Sequence, residues 1–375
     1  MTSHDPALAE LRANVAMPFN QARAMPKSVY TSPDFLALEE KHIFGAQWLS
    51  AGRADTLKGP GAYLTMEVGG EPIIILRDRD GELRGLSNVC RHRMSTLLEG
   101  RGTVRAIVCP YHAWTYNLDG TLRGAPAMAA NAAFCKDQIA LPKVRVEDWL
   151  GWIMVTLNPD LPSPHEQLQG VEALVGYLEM ENYAETFRES FRWNTNWKVL
   201  AENFMESYHL PVCHQGTIGG TVDLMKMTCP EGSPAFNYHY IIKNDTLPLT
   251  LAHPSNTTLV GDQRRITWLL SIYPALLITL TPGYFWYLAL TPDGPDHVNV
   301  LYGGGMSADW VADPDAGGHL AALKTLLDAV NDEDKLCTEK VFRGLVAGLS
   351  APGPLSHLER PNFEFATYLA SKMPA

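Results

Sequence analysis

Residues 88–94 read NVCRHRM and residues 108–114 read VCPYHAW. Each stretch sets one cysteine close to one histidine, Cys90 with His92 and Cys109 with His112. Thiolates and neutral imidazoles are metal ligands, so these four side chains suit a metal centre. A single zinc ion held by all four is one arrangement. Zinc knuckles, however, usually pair cysteines about two to four residues apart. Here each pair mixes the two ligand types, and sixteen residues separate His92 from Cys109. Such mixing suits a two-iron cluster in which two cysteines hold one iron and two histidines the other, each loop serving both irons.

A second set lies in NWKVLAENFMESYHLPVCH, residues 196–214. The pattern predicts a helix from about Trp197 to Tyr208, stopped by Pro211. His209 then stands at the helix end and His214 beyond the break, where the two imidazoles can converge on one ion. Taken alone they are equally two ordinary hydrogen-bonded histidines. A third ligand comes from LKTLLDAVNDEDKLCTEKVF, residues 323–342. Leu323, Leu327, Val330, Cys337 and Val341 recur at steps of four and three, and Asp334 falls within that stripe. Asp332 points away and Glu333 sits at the flank. A buried carboxylate needs a partner, either an ion pair or a metal. Two histidines and one inward carboxylate are the ligand set of non-haem Fe(II) oxygenases, which leaves positions open for O2 and substrate.

These ligands need elements to hold them. Residues 50–156 read as short strands and turns. EPIIILRDRDGELRGLSNVC predicts a hairpin turning at Asp80-Gly81 and running into Cys90; HAWTYNLDGTLRGAP leaves His112 as a strand and turns at Asp119-Gly120. Both cysteine–histidine pairs thus sit in loops at hairpin ends. Residues 5–45 read as helical, with Ser32 an N-cap before Pro33. The proline-rich LNPDLPSP, residues 157–164, closes the β module; a helical segment, strands over about 235–305 and a last helix over about 316–347 follow.

Composition narrows the partners. Thirty basic against 41 acidic side chains give a formal charge of −11, which disfavours nucleic acid or an anionic membrane surface. The apolar stretch at residues 267–292 is broken by Pro274, Pro282 and Gly283 and reads as two buried strands rather than a membrane span. No basic region precedes an apolar run near the N-terminus, so the cytoplasm is the expected location. Cys135, Cys213, Cys229 and Cys337 read as buried thiols, not a disulfide framework.

From CRH and CPYHAW through NWKVLAENFMESYH to NDEDK and GPLSHLE, the chain resembles the α subunit (terminal oxygenase) of Rieske non-haem iron oxygenases, also called ring-hydroxylating oxygenases. The resemblance implies an α+β chain in three parts. These are an N-terminal helical segment (1–45) on the catalytic domain, an all-β Rieske [2Fe-2S] domain (46–156), and a helix-grip catalytic domain with a large antiparallel sheet (157–375). It implies a Rieske cluster on Cys90, His92, Cys109 and His112, and a mononuclear Fe(II) on His209, His214 and Asp334. It also implies a head-to-tail homotrimer, and electrons from NAD(P)H through a separate reductase, in some members with a ferredoxin. Glu206 stands where the side chain linking the two metal sites is commonly Asp, and Glu there resembles the branch acting on glycine betaine, carnitine and proline betaine. Being three residues before His209, Glu206 is expected on the same helix face, holding that imidazole. Tyr238, Tyr240, Tyr284, Phe285 and Trp286 could cage an ammonium, stack on an aromatic ring or fill the core. The expected activity is O2-dependent hydroxylation or oxidative demethylation of a small aromatic or N-methylated substrate, with cis-dihydroxylation the alternative. From other classes come a Rieske electron carrier, which would not need residues 196–375, and a zinc-stabilised binding module.

Overall fold

The computed structural model describes residues 6–243, 247–349 and 351–374; residues 1–5 of the expected N-terminal segment lie outside the described residues. Two compact units make up the chain, Phe44–Pro164 and a second formed by Met1–Ile43 with His165–Ala375.

The Phe44–Pro164 unit is built of strands. They are β1 (Leu49–Arg53), β2 (Ala62–Val68), β3 (Glu71–Arg77), β4 (Leu83–Ser87), β5 (Arg101–Thr103), β6 (Ile107–Val108), β7 (Thr115–Tyr116), β8 (Leu122–Gly124), β9 (Lys143–Trp149) and β10 (Trp152–Thr156). Seven form one sheet in the order β1-β10-β9-β4-β3-β2-β5, and β6-β7-β8 form a small second sheet. The expected β3–β4 hairpin is present, but its loop is longer than a two-residue turn. Arg77 pairs with Leu83, and Asp78 organises the residues between by accepting from the N–H groups of Asp80 (2.9 Å) and Glu82 (3.0 Å). Gly81 supplies the left-handed step, at φ +86°. Residues 157–164, expected to begin the catalytic domain, pack with this unit instead. Arg145 donates to the carbonyls of Pro159 and Leu161, and Trp48 donates to Pro162 O at 2.9 Å.

In the other unit, α1 (Pro6–Val15), α2 (Lys27–Thr31) and α3 (Pro33–Glu39) come first. Ser32 caps α3, its hydroxyl accepting from Phe35 N–H at 3.1 Å. There follow α4 (Pro164–Gln167, opening in the other unit's last residue), α5 (Gln169–Val175), β11 (Ala184–Trp193), α6 (Trp197–Met205) and α7 (Leu210–Cys213). Strands β12 (Phe236–Ile242), β13 (Ile266–Ile272), β14 (Leu276–Leu280), β15 (Tyr284–Pro292) and β16 (Val298–Met306) precede α8 (Ala308–Val311), α9 (Ala316–Leu345) and α10 (Arg360–Lys372). Six strands form an antiparallel sheet in the order β11-β16-β15-β14-β13-β12. The apolar stretch 267–292 makes three strands, not two, because the chain turns at Tyr273-Pro274 as well as at Thr281–Gly283. Both faces of β13 to β15 are buried, hence the near-continuous apolar sequence. Among the described residues no helix is long and apolar enough to cross a membrane.

Helix α6 packs on this sheet and against α9. The inward face of α9 carries Leu323, Leu327, Val330, Asn331, Asp334, Thr338 and Phe342. Asp334 is inward as the periodicity predicts, but Val341 is exposed and Cys337 half-buried. A row spaced by alternating fours and threes drifts around a 3.6-residue helix by about 20° per heptad, so the buried face passes to Thr338 and Phe342. All six cysteines are free thiols; Cys135 is exposed rather than buried, and Cys213, Cys229 and Cys337 are half-buried.

Candidate metal centres and active site

The two cysteine–histidine loops share one backbone design. In the first, Cys90 N–H donates to Ser95 O and Met94 N–H returns to Cys90 O. In the second, Cys109 N–H donates to Trp114 O and Ala113 N–H returns to Cys109 O. The fourth residue after each cysteine is left-handed, Met94 at φ +59° and Ala113 at φ +56°. Such strain in non-glycine residues costs of order 1–3 kcal/mol each and persists only where the surroundings enforce it. Its repetition in both loops marks a built feature.

Cys90 and Cys109 are buried, at 1% and 2% exposure. Burial acts to raise the Cys109 thiol's pKa, but hydrogen bonds from the Tyr111 and His112 N–H groups, with Cys90 and Ser95, outweigh it and bring it down. The Tyr116 hydroxyl accepts from Arg91 N–H at 3.0 Å and stands 3.3 Å from Cys90 Sγ, placed to donate to its thiolate. His92 stacks on Trp114, with ring centroids 4.8 Å apart, and lies 4.8 Å from His112. Its Nδ1 is buried without a hydrogen-bond partner, as a nitrogen kept for a metal would be. Among the described residues, the set of His, Cys, Asp or Glu donors that converges within 4.8 Å is His209, His214 and Asp334. With one thiol and one imidazole from each loop, the two cysteines and two histidines fit a two-iron cluster.

The second site begins at α6. Asn196 caps it, accepting from Lys198 N–H at 3.0 Å. A buried Lys198–Glu39 ion pair at 2.8 Å fixes its first turn. The helix stops at Met205, three residues earlier than predicted, because Glu206 is extended (φ −130°, ψ 161°). The Glu206 carboxylate accepts from the N–H groups of Tyr208 and His209 and also meets His209 Nδ1. Glu206 and His209 thus pair through a turn capped by the carboxylate, not through a shared helix face. Pro211 does not end the long helix; it sits in the first turn of α7, where its missing N–H costs nothing.

His214 follows α7 and is buried at 1% exposure. Its Nδ1 lies 2.9 Å from Glu333 Oε2, and Glu333 also accepts from Gly216 N–H (3.0 Å) and Thr217 Oγ1 (2.5 Å). Both Nε2 atoms face Asp334 Oδ1, at 3.6 Å from His209 and 3.1 Å from His214. Asn203 Nδ2 donates to the same oxygen at 2.7 Å. Burial opposes charge on His209, yet Asp334 and Glu206 push its pKa up to about 10. Burial likewise opposes ionisation of Asp334, yet His209 and His214 hold it at about 2. Three carboxylates around two imidazoles make a site that demands positive charge. With each Nδ1–H given to a carboxylate, both Nε2 lone pairs point at one place, so the residues fit a divalent metal.

Sequence reasoning missed two residues here. Glu333 was placed on the flank of α9; its carboxylate reaches the His214 loop, which only tertiary packing brings near. Asn203, three residues before Glu206, carried no sequence signal. An expected result follows for Glu333→Gln. Weakening the hold on a ligating histidine typically costs 10–100-fold in metal affinity. Chelator competition should show mononuclear iron lost in about that range with the Rieske absorption unchanged, and wild-type iron retention would mean that Glu333 does not orient His214.

The His209, His214 and Asp334 side chains line a cavity of about 780 Å3. Of the five aromatics considered above, Tyr284 and Trp286 line it, joined by Phe204. Tyr238 and Tyr240 pack on Trp268, and Phe285 on Tyr183 and Tyr287, away from it.

Comparison with known proteins agrees with this geometry. Residues 47–144 match the Rieske [2Fe-2S] domain, and residues 180–375 match the ring hydroxylating alpha subunit catalytic domain. The carnitine monooxygenase oxygenase subunit of Escherichia coli K12 is 33% identical over 199 residues, 52% of this chain; the match spans about half (53%) of that relative's length. The glycine betaine monooxygenase oxygenase subunit of Pseudomonas aeruginosa is 27% identical over 89% of this chain and 85% of its own. In fold, the chain is similar to naphthalene 1,2-dioxygenase from Rhodococcus sp., with a TM-score of 0.82 at 19% identity over 99% of this chain and 98% of that one. It is also similar to a quaternary ammonium Rieske monooxygenase solved with L-carnitine, with a TM-score of 0.80 at 24% identity over 96% and 98%. With a Rieske domain in its first half and the catalytic-domain match covering more than half its length, this chain belongs to the family of ring-hydroxylating oxygenase α subunits.

Proposed function

We propose that this chain is the oxygenase component of a multicomponent enzyme that hydroxylates, or oxidatively demethylates, a small organic molecule with O2. The observation that carries this reading is the convergence of His209, His214 and Asp334 on the wall of a largely apolar cavity, in a chain that also holds a Rieske domain. An iron ion held by those three side chains would supply the O2 activation. Around it the protein's own groups set the geometry. Glu206 and Glu333 fix the tautomers of the two histidines, and Asn203 steadies Asp334. Phe204, Trp286, Leu323 and Leu327 line the cavity, where a bound substrate would exclude water.

Cys90, His92, Cys109 and His112 would hold the cluster that receives electrons from NAD(P)H through a separate reductase, with or without a ferredoxin. In a head-to-tail homotrimer, His112 of the partner subunit would meet Glu206. A second cavity, of about 510 Å3, also reaches Glu206 and His209 and supports an approach separate from the substrate's. The cytoplasm, the source of NAD(P)H, fits this scheme. Relatives named for carnitine and glycine betaine support an N-methylated substrate.

The test begins with colour. The protein should be red-brown with the EPR signal of a reduced Rieske cluster, and Cys109→Ser should bleach it. O2 uptake coupled to NADH through a surrogate reductase, screened over aromatic acids and methylated amines, should then give a product whose mass shows hydroxylation, demethylation or a cis-diol. A colourless, zinc-containing protein would end the oxygenase reading.

A further inference from the structure

The cavity at the metal site is lined by both carboxylates and ammonium groups. Asp334 and Glu206 line it where His209 and His214 converge. Two lysines also line it, and Lys226 is already paired with Asp223 at 3.4 Å. Lys243 is different. Its backbone N–H still bonds to the sheet, donating to Arg265 O at 3.2 Å just past the end of β12. Its ammonium has no ion-pair or hydrogen-bond partner among the described residues, and burial lowers its pKa with no described carboxylate opposing. Arg265, the nearest charged group in sequence across the strand pair, is engaged with Asp262. A half-buried ammonium with no described partner is open to a counter-charge brought by the cavity's occupant.

Position along the strand gives the spacing. Near its start β12 reaches the end of α6: Asn237 Nδ2 donates to Met205 Sδ at 3.6 Å, one residue before Glu206. Lys243 lies six residues on, just past the strand's other end. Between the two ends the walls are mostly aliphatic, with Ile241, Leu269, Leu323 and Leu327 among them. Thr267 and Thr279 also line the cavity, and their buried hydroxyls have no hydrogen-bond partner among the described residues. A volume of about 780 Å3 lies well within the range of roughly 300–1,000 Å3 for drug-sized ligands. It exceeds what a compact trimethylammonium compound of ten or so heavy atoms would fill.

Resting on the oxygenase reading above, we propose that the substrate is an elongated, mainly apolar molecule ending in a carboxylate or similar anionic group. Lys243 holds that end, and the reacting carbon, several bonds away, lies toward His209, His214 and Asp334. The body packs on the aliphatic walls, and Thr267 and Thr279 accept or donate to an oxygen function along it. An N-methylated centre at the reacting end is compatible with this polarity, because Glu206 and Asp334 stand there.

Three probes with one body and different heads test it: 6-phenylhexanoate, 6-phenylhexan-1-ol and 6-phenylhexyltrimethylammonium. Calorimetric binding to the iron-loaded holoprotein should favour the carboxylate over the alcohol by at least about tenfold, as expected for one charge-assisted hydrogen bond. Lys243→Met, which keeps the apolar stem, should erase that preference, and Lys243→Arg should retain it, with cluster absorption and iron content checked in each. Equal affinity of carboxylate and alcohol, tightest binding of the trimethylammonium probe, or a carboxylate preference that survives Lys243→Met would each overturn the assignment. O2 uptake with the same probes separates the two readings. A Lys243-dependent carboxylate preference with no O2 uptake for any substrate screened leaves the anionic end standing and counts against the oxygenase. Turnover of the alcohol and trimethylammonium probes as efficient as that of the carboxylate, unmoved by Lys243→Met, does the reverse.

Discussion

Asp334→Ala should strip the mononuclear iron and abolish substrate oxidation while the Rieske spectrum stays intact. The geometry leaves little to replace the lost ligand. Asp334 Oδ1 is the atom both Nε2 groups face, and it is held in place by Asn203. Removing an outer partner of a ligating side chain costs about 10–100-fold in affinity, and removing the ligand itself should cost at least on the order of 100-fold. Glu333 cannot step in, because its carboxylate is already engaged by His214 Nδ1, Gly216 N–H and the Thr217 hydroxyl. Metal analysis with visible and EPR spectra checks both parts at once. Retention of one mononuclear iron per chain in the variant would remove Asp334 from the ligand set.

Glu206→Gln should leave both metals bound and slow the passage of electrons between them. Glutamine keeps the size and one acceptor oxygen, so the turn that caps Tyr208 and His209 can persist. What it loses is the charge that faces His209 Nδ1 and that, in the proposed trimer, would accept from His112 of the partner subunit. A hydrogen bond to a charged group contributes about 1.5–3 kcal/mol. Felt in the barrier, that is a rate loss of about one to two orders of magnitude. Single-turnover stopped-flow on the pre-reduced variant, with substrate and O2 present, reads it as slowed reoxidation of the cluster. Reoxidation at the wild-type rate would show that the electron crosses elsewhere.

Chemistry that is local in sequence was legible from sequence. Cys90 with His92 and Cys109 with His112 stand two and three residues apart, so backbone reach alone places each pair in one loop whatever the fold around it. Helical periodicity carried Asp334 inward correctly, because α9 is long enough for its apolar side to set the phase. The same rule misjudged Val341 and Cys337, since small angular drift adds up along thirty residues. Glu206 was matched to His209 on the premise of a continuing helix. The fold makes the pair by ending the helix first, because capping two N–H groups competes with another helical turn.

Other features were decided by tertiary structure alone. A strand's period of two says that Tyr284 and Trp286 share a face and that Phe285 takes the other, but not which face meets the cavity; that depends on where α6 and α9 pack. Glu333 reaches His214 across 119 residues of sequence. Lys243 reads in sequence as one more surface lysine just past a strand, and only the fold brings it to the wall of the cavity that His209, His214 and Asp334 also line. The sequence by itself determined which metals this protein is equipped to hold, since ligand type and short spacing are covalent facts. The fold decided what surrounds them and what shape and charge the cavity offers, because those depend on which distant side chains packing brings together.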